Sequence, residues 1–168
     1  MTVRAATPAD LAGITAIYNE QVLHGTATFD TEPRDEAAAE AWLAAHDPRR
    51  HPVLVAERGG RVAGWASLTA WSPRGAYSRT VEASVFVAEH CRGQGLGREL
   101  TAALEEAARR AGHRVVLGRI EASNAASLAL FARAGYRTVG VMRQVGWKFG
   151  RWLDVVLVEL VLDGEEES

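Results

Sequence analysis

Several features that define large protein classes are absent from this sequence. Cys91 is its only cysteine, which excludes an intramolecular disulfide and any cysteine-based zinc finger. No apolar run approaches the roughly 18 residues of a membrane-spanning helix, and residues 1–10 lack the apolar centre of a secretion signal. The formal net charge of -2 disfavours a strongly basic nucleic-acid surface. We therefore expect a cytoplasmic protein that folds by packing alone, without a membrane or nucleic-acid partner.

Lysine is also nearly missing, because Lys148 is the one lysine among 19 basic residues and all the others are arginine. The arginines are dispersed along the chain, which indicates a compositional bias. What is present is ordinary for a globular protein: 168 residues, 48% hydrophobic and 24% charged, enough to bury a sizeable core. The sequence predicts one domain over residues 1–162 and an acidic tail over residues 163–168.

Hydrophobic periodicity predicts a single α/β domain built around one mixed sheet. Thr7-Pro8 is typical of a helix start and Gly59-Gly60 of a tight hairpin, while Pro33 ends an irregular loop over residues 26–33. The predicted strands cover residues 3–5, 53–57, 61–70, 80–87, 115–121, 136–142 and 153–162. The predicted helices cover about residues 7–23, 35–46, 95–111 and 124–134.

The segment 85–98, VFVAEHCRGQGLGR, leads from a buried strand through glycines into a helix. Backbone amides in such a turn can point at an anion, and the helix N-terminus adds a favourable dipole, so the segment can hold a phosphate. The spacing does not fit a dinucleotide fingerprint, which would need glycine in place of Arg98 or Leu100, and no Lys followed by Ser or Thr completes a P-loop. The alternative is an ordinary tight connection between strand and helix.

The pattern that remains, Arg92-x-x-Gly95-x-Gly97, resembles the pyrophosphate loop of the GNAT superfamily of acyl-CoA N-acyltransferases, and the order of strands and helices agrees. The resemblance implies acetyl-CoA as cosubstrate, a mostly antiparallel twisted sheet flanked by helices, and a pantetheine arm lying along strand 80–87. The residues it implies for the cofactor site are Val85, Phe86, Val87, Arg92, Gly93, Gln94, Gly95, Leu96, Gly97, Arg98, Asn124, Ser127 and Arg133. The alternatives are core packing for the strand, a helix N-cap for Asn124 and a solvated position for Arg133.

Three further segments, residues 71–82, 121–127 and 145–155, resemble the phosphinothricin and methionine sulfone/sulfoximine N-acetyltransferases. With the glycine turn they are distributed between residues 71 and 155. This closer resemblance implies direct transfer of an acetyl group onto the amine of a small L-amino acid or analogue. It also implies a homodimer packed through the C-terminal strands. Trp147, Phe149 and Trp152 are costly to expose, so we expect them to be buried, either within one chain or between two copies.

Glu82 is the candidate catalytic residue. Attack on a thioester requires a neutral amine, whereas a free amino acid's ammonium is mostly protonated near neutral pH, so a nearby carboxylate is useful as proton acceptor. Strand alternation places Glu82 on the face opposite Val81 and Ala83, just ahead of the strand implied for pantetheine. The family resemblance implies the same role of general base. The alternative is a solvated carboxylate on a strand.

The resemblance implies an acceptor site formed by Phe29, Arg74, Gly75, Ala76, Tyr77 and Asn124. Arg74 can pair with a substrate carboxylate through two parallel N–H···O hydrogen bonds, and Tyr77 can supply a hydroxyl or an aromatic wall. The alternatives are a solvated loop charge for Arg74, a core lid for Tyr77 and a loop anchor for Phe29.

Phe131 departs from the pattern of the resembled family. It stands where the superfamily often has a tyrosine and the phosphinothricin branch a histidine, and phenylalanine cannot donate a proton to the departing CoA thiolate. Because an unperturbed thiol has a pKa near 8.5, the thiolate can leave without full protonation. We therefore expect a slow enzyme and not an inactive one. The five histidines show no ligand spacing, and we expect no metal.

Two other functions remain open from the sequence. One is acetylation of a protein N-terminus or lysine, which the acceptor-loop segments disfavour. The other is a non-catalytic module that binds acyl-CoA, which Phe131 favours and Glu82 disfavours.

Overall fold

The computed structural model describes residues 2–163 and contains one seven-stranded sheet with two helices on each face. The strands are β1 (Thr2–Ala5), β2 (Val53–Arg58), β3 (Arg61–Ala70), β4 (Thr80–Val87), β5 (Val115–Glu121), β6 (Arg137–Lys148) and β7 (Arg151–Val161). The helices are α1 (Leu11–His24), α2 (Glu36–Ala44), α3 (Leu96–Arg110) and α4 (Ala125–Arg133). Of the predicted acidic tail, all but Asp163 lies outside the described residues.

The strand order is β1-β2-β3-β4-β5-β7-β6, and every neighbouring pair is antiparallel except β4 and β5. This confirms the predicted mostly antiparallel α/β sheet. The two apolar faces of the sheet form separate cores. Ile14 and Val22 of α1 pack against Trp65 on one face, and Leu100 and Leu104 of α3 pack on the other.

The parallel strands β4 and β5 separate from each other towards their carboxyl ends. Pairing between these two strands runs from Thr80 and Val115 to Glu82 and Leu117, whereas β4 continues to Val87 and β5 to Glu121. The last residues of β4 therefore present their β5-facing backbone N–H and C=O groups to an open space. Unpaired groups of this kind can bind an extended ligand in the manner of an added strand.

The C-terminal hairpin is the main correction to the predicted elements. Residues 136–142 and 153–162 were predicted as strands, but β6 and β7 extend to Lys148 and begin at Arg151, joined by Phe149-Gly150. Both turn residues have positive φ (53° and 71°), as a two-residue hairpin turn requires. The pairing shifts register between Met142 and Gly146, and Gln144 also has positive φ (55°). This irregularity interrupts the alternation by which a strand is recognised in a sequence.

No helix within the part of the chain that the structure describes is long and apolar enough to cross a membrane.

Candidate active site

Two cavities meet at the opening between β4 and β5. One, of about 540 Å³, lies on the α1 side of the sheet, and the other, of about 770 Å³, lies along the glycine turn and α3. We call them the acceptor cavity and the cofactor groove. Both are lined by Val85 and Phe86 at the end of β4 and by Asn124 and Ser127 at the start of α4. A group transferred between two ligands would have to pass at this shared boundary.

The cofactor groove brings together nearly all of the residues predicted for acetyl-CoA. The residues of that prediction that line it are Val85, Phe86, Val87, Arg92, Gly93, Gly95, Leu96, Gly97, Arg98, Asn124, Ser127 and Arg133. Gln94 is the exception, because its side-chain Nε2 turns back to donate to the carbonyl of His90 at 3.4 Å.

The glycine turn leaves the N-terminus of α3 open for an anion. Gly93 and Gly95 have φ of 72° and 85°, a left-handed conformation that costs glycine little, and no side chain caps the helix that begins at Leu96. The first amides of α3 therefore face the groove without an internal partner, and Arg92 and Arg98 line the same wall. This is the geometry expected for a pyrophosphate site.

Glu82 lines the acceptor cavity, and its carboxylate is held by an arginine that the sequence analysis missed. Arg119 of β5 donates from Nε to Oε2 at 2.5 Å and from Nη2 to Oε1 at 2.7 Å. The bond to Glu82 raises the pKa of the Arg119 guanidinium above its ordinary value. The pairing depends on the parallel register of β4 and β5, so no sequence motif signals it. A second acid, Glu121, lines the same cavity and was also missed as a functional residue.

An aromatic group forms the far wall of the acceptor cavity. Trp65 and Phe86 stack with centroids 4.7 Å apart, and Tyr18 meets the Phe86 ring edge-on. The guanidinium of Arg34 lies 4.2 Å above the Tyr18 ring and 4.8 Å from that of Trp42. The predicted acceptor-loop residue Phe29 also lines this cavity. The wall therefore offers flat apolar surfaces to a small side chain.

The acceptor loop, residues 26–33, is fastened from two sides. The hydroxyl of Tyr18 bonds to Asp30 and to Oγ1 of Thr28, and burial raises the pKa of this phenol. Lys148 reaches in from β6, where its Nζ donates to the carbonyls of Gln21 at 3.0 Å and Thr28 at 2.8 Å. Lys148 is only 5% exposed, and burial lowers its pKa. The only lysine of the chain therefore ties the C-terminal hairpin to the acceptor loop.

The remaining predicted acceptor residues lie outside the two cavities that the described residues of one chain form. Arg74, Gly75, Ala76 and Tyr77 lie in or beside a 3₁₀ turn before β4, all four are exposed, and the described residues that line the two cavities do not include them. Their role in substrate binding stays a prediction.

Asn124 caps α4 by accepting a hydrogen bond from the backbone of Ser127 at 3.1 Å, and it also lines both cavities. The two readings of this residue are therefore compatible. Phe131 is buried, lines the acceptor cavity and meets Tyr136 edge-on at 4.8 Å. Among residues 2–163 no group of three or more His, Cys, Asp or Glu side chains could hold a metal ion.

Comparison with known proteins places this architecture in a family. A family model described as an acetyltransferase (GNAT) domain matches residues 3–157. The chain belongs to this family and is an acetyl-CoA-dependent N-acetyltransferase, which confirms the class predicted from the sequence.

The relatives agree with the narrower resemblance. The chain is 45% identical over 163 residues to the L-methionine sulfoximine/L-methionine sulfone acetyltransferase of Pseudomonas paraeruginosa, covering 96% of this chain and 95% of that protein. It is 40% identical over 168 residues to the phosphinothricin N-acetyltransferase of Alcaligenes faecalis, covering 99% and 85%. A GNAT superfamily phosphinothricin acetyltransferase from Sinorhizobium meliloti, solved in complex with acetyl-CoA, superposes with a TM-score of 0.92 at 34% identity, covering 96% and 88%.

Proposed function

We propose that the protein transfers the acetyl group of acetyl-CoA to the amine of a small L-amino acid analogue such as methionine sulfone, methionine sulfoximine or phosphinothricin. The observation that carries the proposal is the meeting of the cofactor groove and the acceptor cavity at Val85, Phe86 and Asn124, with a carboxylate in the acceptor cavity. Relatives that act on these compounds span nearly the whole chain.

Acetyl-CoA fits the chemistry of the groove. The open amides of α3 and the side chains of Arg92 and Arg98 suit the pyrophosphate, and the β5-facing backbone of β4 suits the amide groups of pantetheine. A cofactor held in this way would have its thioester near Val85, Phe86 and Asn124, which line both cavities.

Glu82 serves as general base in this proposal. The acceptor's ammonium gives a proton to the carboxylate, directly or through a water, and the neutral nitrogen attacks the thioester carbonyl. The nitrogen of the tetrahedral species gives its surplus proton to water, and the species collapses by breaking the carbon–sulfur bond, which gives the neutral amide and the CoA thiolate. Arg119 orients the Glu82 carboxylate through its two hydrogen bonds.

The thiolate leaves without a side-chain acid. Phe131 occupies the place from which an acid is expected, so water supplies the proton to sulfur after the carbon–sulfur bond has broken. An acetyl-CoA-dependent reaction on free amino acids also agrees with the cytoplasmic location expected from the sequence.

The active unit in this proposal is a homodimer. Trp147, Phe149 and Trp152 are 57%, 55% and 61% exposed, so one chain does not bury them. They lie on the β6–β7 hairpin, and β6 is an edge strand that also exposes Val141 and Val145. An apolar edge strand of this kind invites pairing, and a second copy of the chain would cover it.

A thiol-release assay tests the proposed activity. The protein is mixed with acetyl-CoA and a panel containing methionine sulfone, methionine sulfoximine, phosphinothricin, ordinary L-amino acids and a peptide with a free N-terminus. We expect release with at least one small amino acid analogue, and a loss of about 10²–10⁴-fold in kcat in Glu82→Gln, the range for removal of a general base. Binding of acetyl-CoA without thiol release with any acceptor would falsify the proposed acetyl transfer and favour a non-catalytic module that binds acyl-CoA. Release with the peptide alone would favour protein acetylation.

A further inference from the structure

The acceptor cavity contains a second carboxylate, Glu121, which the proposed reaction does not use. It is the last residue of β5 and is 6% exposed, whereas the side chains of the Glu82 and Arg119 pair are 15% and 54% exposed. Its main-chain carbonyl accepts from the backbone of Asn124 at 2.9 Å. Glu121 is therefore fixed beside the boundary of the two cavities.

The contacts of Glu121 leave half of its carboxylate open. Oε2 accepts from the backbone N–H of Ser123 at 2.9 Å and from its Oγ at 2.5 Å. Oε1 has no hydrogen-bond partner among residues 2–163, and it is not among their buried unpaired side-chain atoms, so it keeps contact with the cavity. Both donors to Oε2 are neutral, so they leave the charge of the carboxylate uncompensated.

The other two acids that line the acceptor cavity already have partners. Glu82 is bonded to Arg119 and Asp30 to the hydroxyl of Tyr18. Arg34 lies over the rings of Tyr18 and Trp42, and its buried Nη1 has no hydrogen-bond partner among residues 2–163. The charged lining residues are three acids (Asp30, Glu82, Glu121) and two arginines (Arg34, Arg119), which leaves one negative charge in excess. A buried carboxylate without a cation is costly, and a cationic ligand can remove that cost.

We propose that Glu121 binds the ammonium group of the acceptor and so determines the choice of amine substrates. The inference rests on the proposed function. Because an amino acid arrives mostly as the ammonium form near neutral pH, its first electrostatic partner should be a carboxylate that no arginine has neutralised. Glu121 meets that description, while Glu82, held at both oxygens by Arg119, accepts the proton afterwards.

Binding of two ligands that differ only at the amine tests this inference. The ligands are L-methionine sulfone and the matching 2-hydroxy acid, in which a hydroxyl replaces the ammonium, each titrated calorimetrically into protein saturated with CoA. Glu121→Gln keeps an amide oxygen for the donors of Ser123 and removes the charge. We expect wild type to bind the amine about tenfold or more tightly than the hydroxy acid, as a charged hydrogen bond allows, and Glu121→Gln to lose that preference with its hydroxy-acid affinity unchanged.

Ser123→Ala is the matched control, because it removes one hydrogen bond to Glu121 and leaves the charge. We expect this variant to keep the wild-type preference for the amine. An unchanged preference in Glu121→Gln would overturn the inference, as would an equal fall in affinity for both ligands, which would mark a purely structural role. Wild-type protein that prefers the amine but releases no thiol would refute the proposed reaction and leave ammonium binding by Glu121 standing.

Discussion

At the residue scale, the acceptor cavity is defined by how each ionisable side chain is paired. Glu82 has an arginine, Glu121 has only neutral donors, and Lys148 is enclosed between two backbone carbonyls. The two carboxylates therefore differ in which of their oxygens a ligand can reach, because Arg119 occupies both oxygens of Glu82 and Ser123 only one oxygen of Glu121.

Lys148 should titrate below its ordinary value near 10.5, because burial disfavours the ammonium. Since the folded state lowers this pKa, the cost of holding the charge is present at neutral pH and is relieved as the pH rises towards 10.5. This contribution to the free energy of unfolding should therefore rise over that interval. Lysine-selective NMR reads the titration from a single side-chain signal, because the chain has no other lysine. A midpoint at or above 10.5 would contradict the buried position.

Phe131→His tests whether the missing acid limits the reaction. The side chain lines the acceptor cavity, so an imidazole there could protonate the departing thiolate, and we expect the rate of acetylation to rise several-fold. Steady-state kinetics with the preferred acceptor measure it. Phe131→Leu, which offers no proton, is the control and should show no rise. An unchanged rate in a folded Phe131→His variant would show that protonation of sulfur is not limiting.

Sequence reasoning identified Glu82 but neither Arg119 nor Glu121 as functional residues. Glu82 follows from strand alternation and from its family context, both of which are local. Arg119 lies 37 positions after Glu82, and the parallel register of β4 and β5 brings the two side chains together. Oε1 of Glu121, which has no hydrogen-bond partner among residues 2–163, lies beyond the point where β4 and β5 separate. Neither relation has a signature at a fixed spacing, so both required the structure.

At the element scale, the C-terminal hairpin (β6 and β7) packs against the acceptor loop that lines the acceptor cavity. Lys148 bonds to the acceptor loop, and Gly146 lies so close to the ring of Phe29 that a Cβ at this position would clash with it. The hairpin thus contacts two parts of the acceptor loop, Thr28 and Phe29. Residues 145–155, one of the three segments that resemble the phosphinothricin and methionine sulfone/sulfoximine N-acetyltransferases, include these contact residues Gly146 and Lys148.

Lys148→Met should loosen the acceptor loop. The substitution keeps much of the apolar volume but leaves the part-buried carbonyl of Thr28 without its lysine donor, at a cost of about 1–3 kcal/mol. The carbonyl of Gln21 keeps only the backbone N–H of Gly25 as donor. We expect a higher KM for the acceptor, an unchanged KM for acetyl-CoA and a lower free energy of unfolding, measured by kinetics and urea denaturation.

Arg137→Met provides the control on the same strand. Arg137 forms an exposed ion pair with Glu159, and such pairs contribute little to stability, so both KM values should stay as in wild type. If Lys148→Met raises the two KM values together, or neither of them, the hairpin does not act on the acceptor loop.

The elements themselves were predictable where periodicity is regular. Strands β4 and β5 have the predicted bounds, and α3 follows its stripe of leucines. The β6–β7 hairpin was not predicted in full, because its register shift and the positive φ of Gln144 interrupt the two-residue repeat. A bulged strand has no simple hydrophobic pattern to read.

At the scale of the whole molecule, the two cavities of one chain meet at the opening between β4 and β5, and the C-terminal hairpin exposes apolar side chains. The sheet ends in β6, and within residues 2–163 its apolar side chains Val139, Val141, Val145 and Trp147 are exposed. We therefore expect the dimer to be formed through the strand that also supports the acceptor loop.

Trp147→Glu combined with Trp152→Glu should convert the dimer to a monomer. The two indoles are 4.7 Å apart and exposed, and a pair of carboxylates there would repel the matching face of a second copy. Sedimentation equilibrium measures the mass against 18.1 kDa for one chain. Leu23→Glu, on an exposed position of α1, is the control and should remain a dimer. Wild-type protein that sediments as a monomer would contradict the predicted assembly.

The most direct test of the central claim follows the acetyl group itself. Acetyl-CoA with a deuterated acetyl group is incubated with the protein and L-methionine sulfone, and the products and the intact chain are weighed by mass spectrometry. The account predicts labelled N-acetyl methionine sulfone in equal amount to free CoA, with no label on the protein. Bound acetyl-CoA without an acetylated acceptor would contradict the proposed reaction, and label on the chain that then passes to the acceptor would contradict direct transfer.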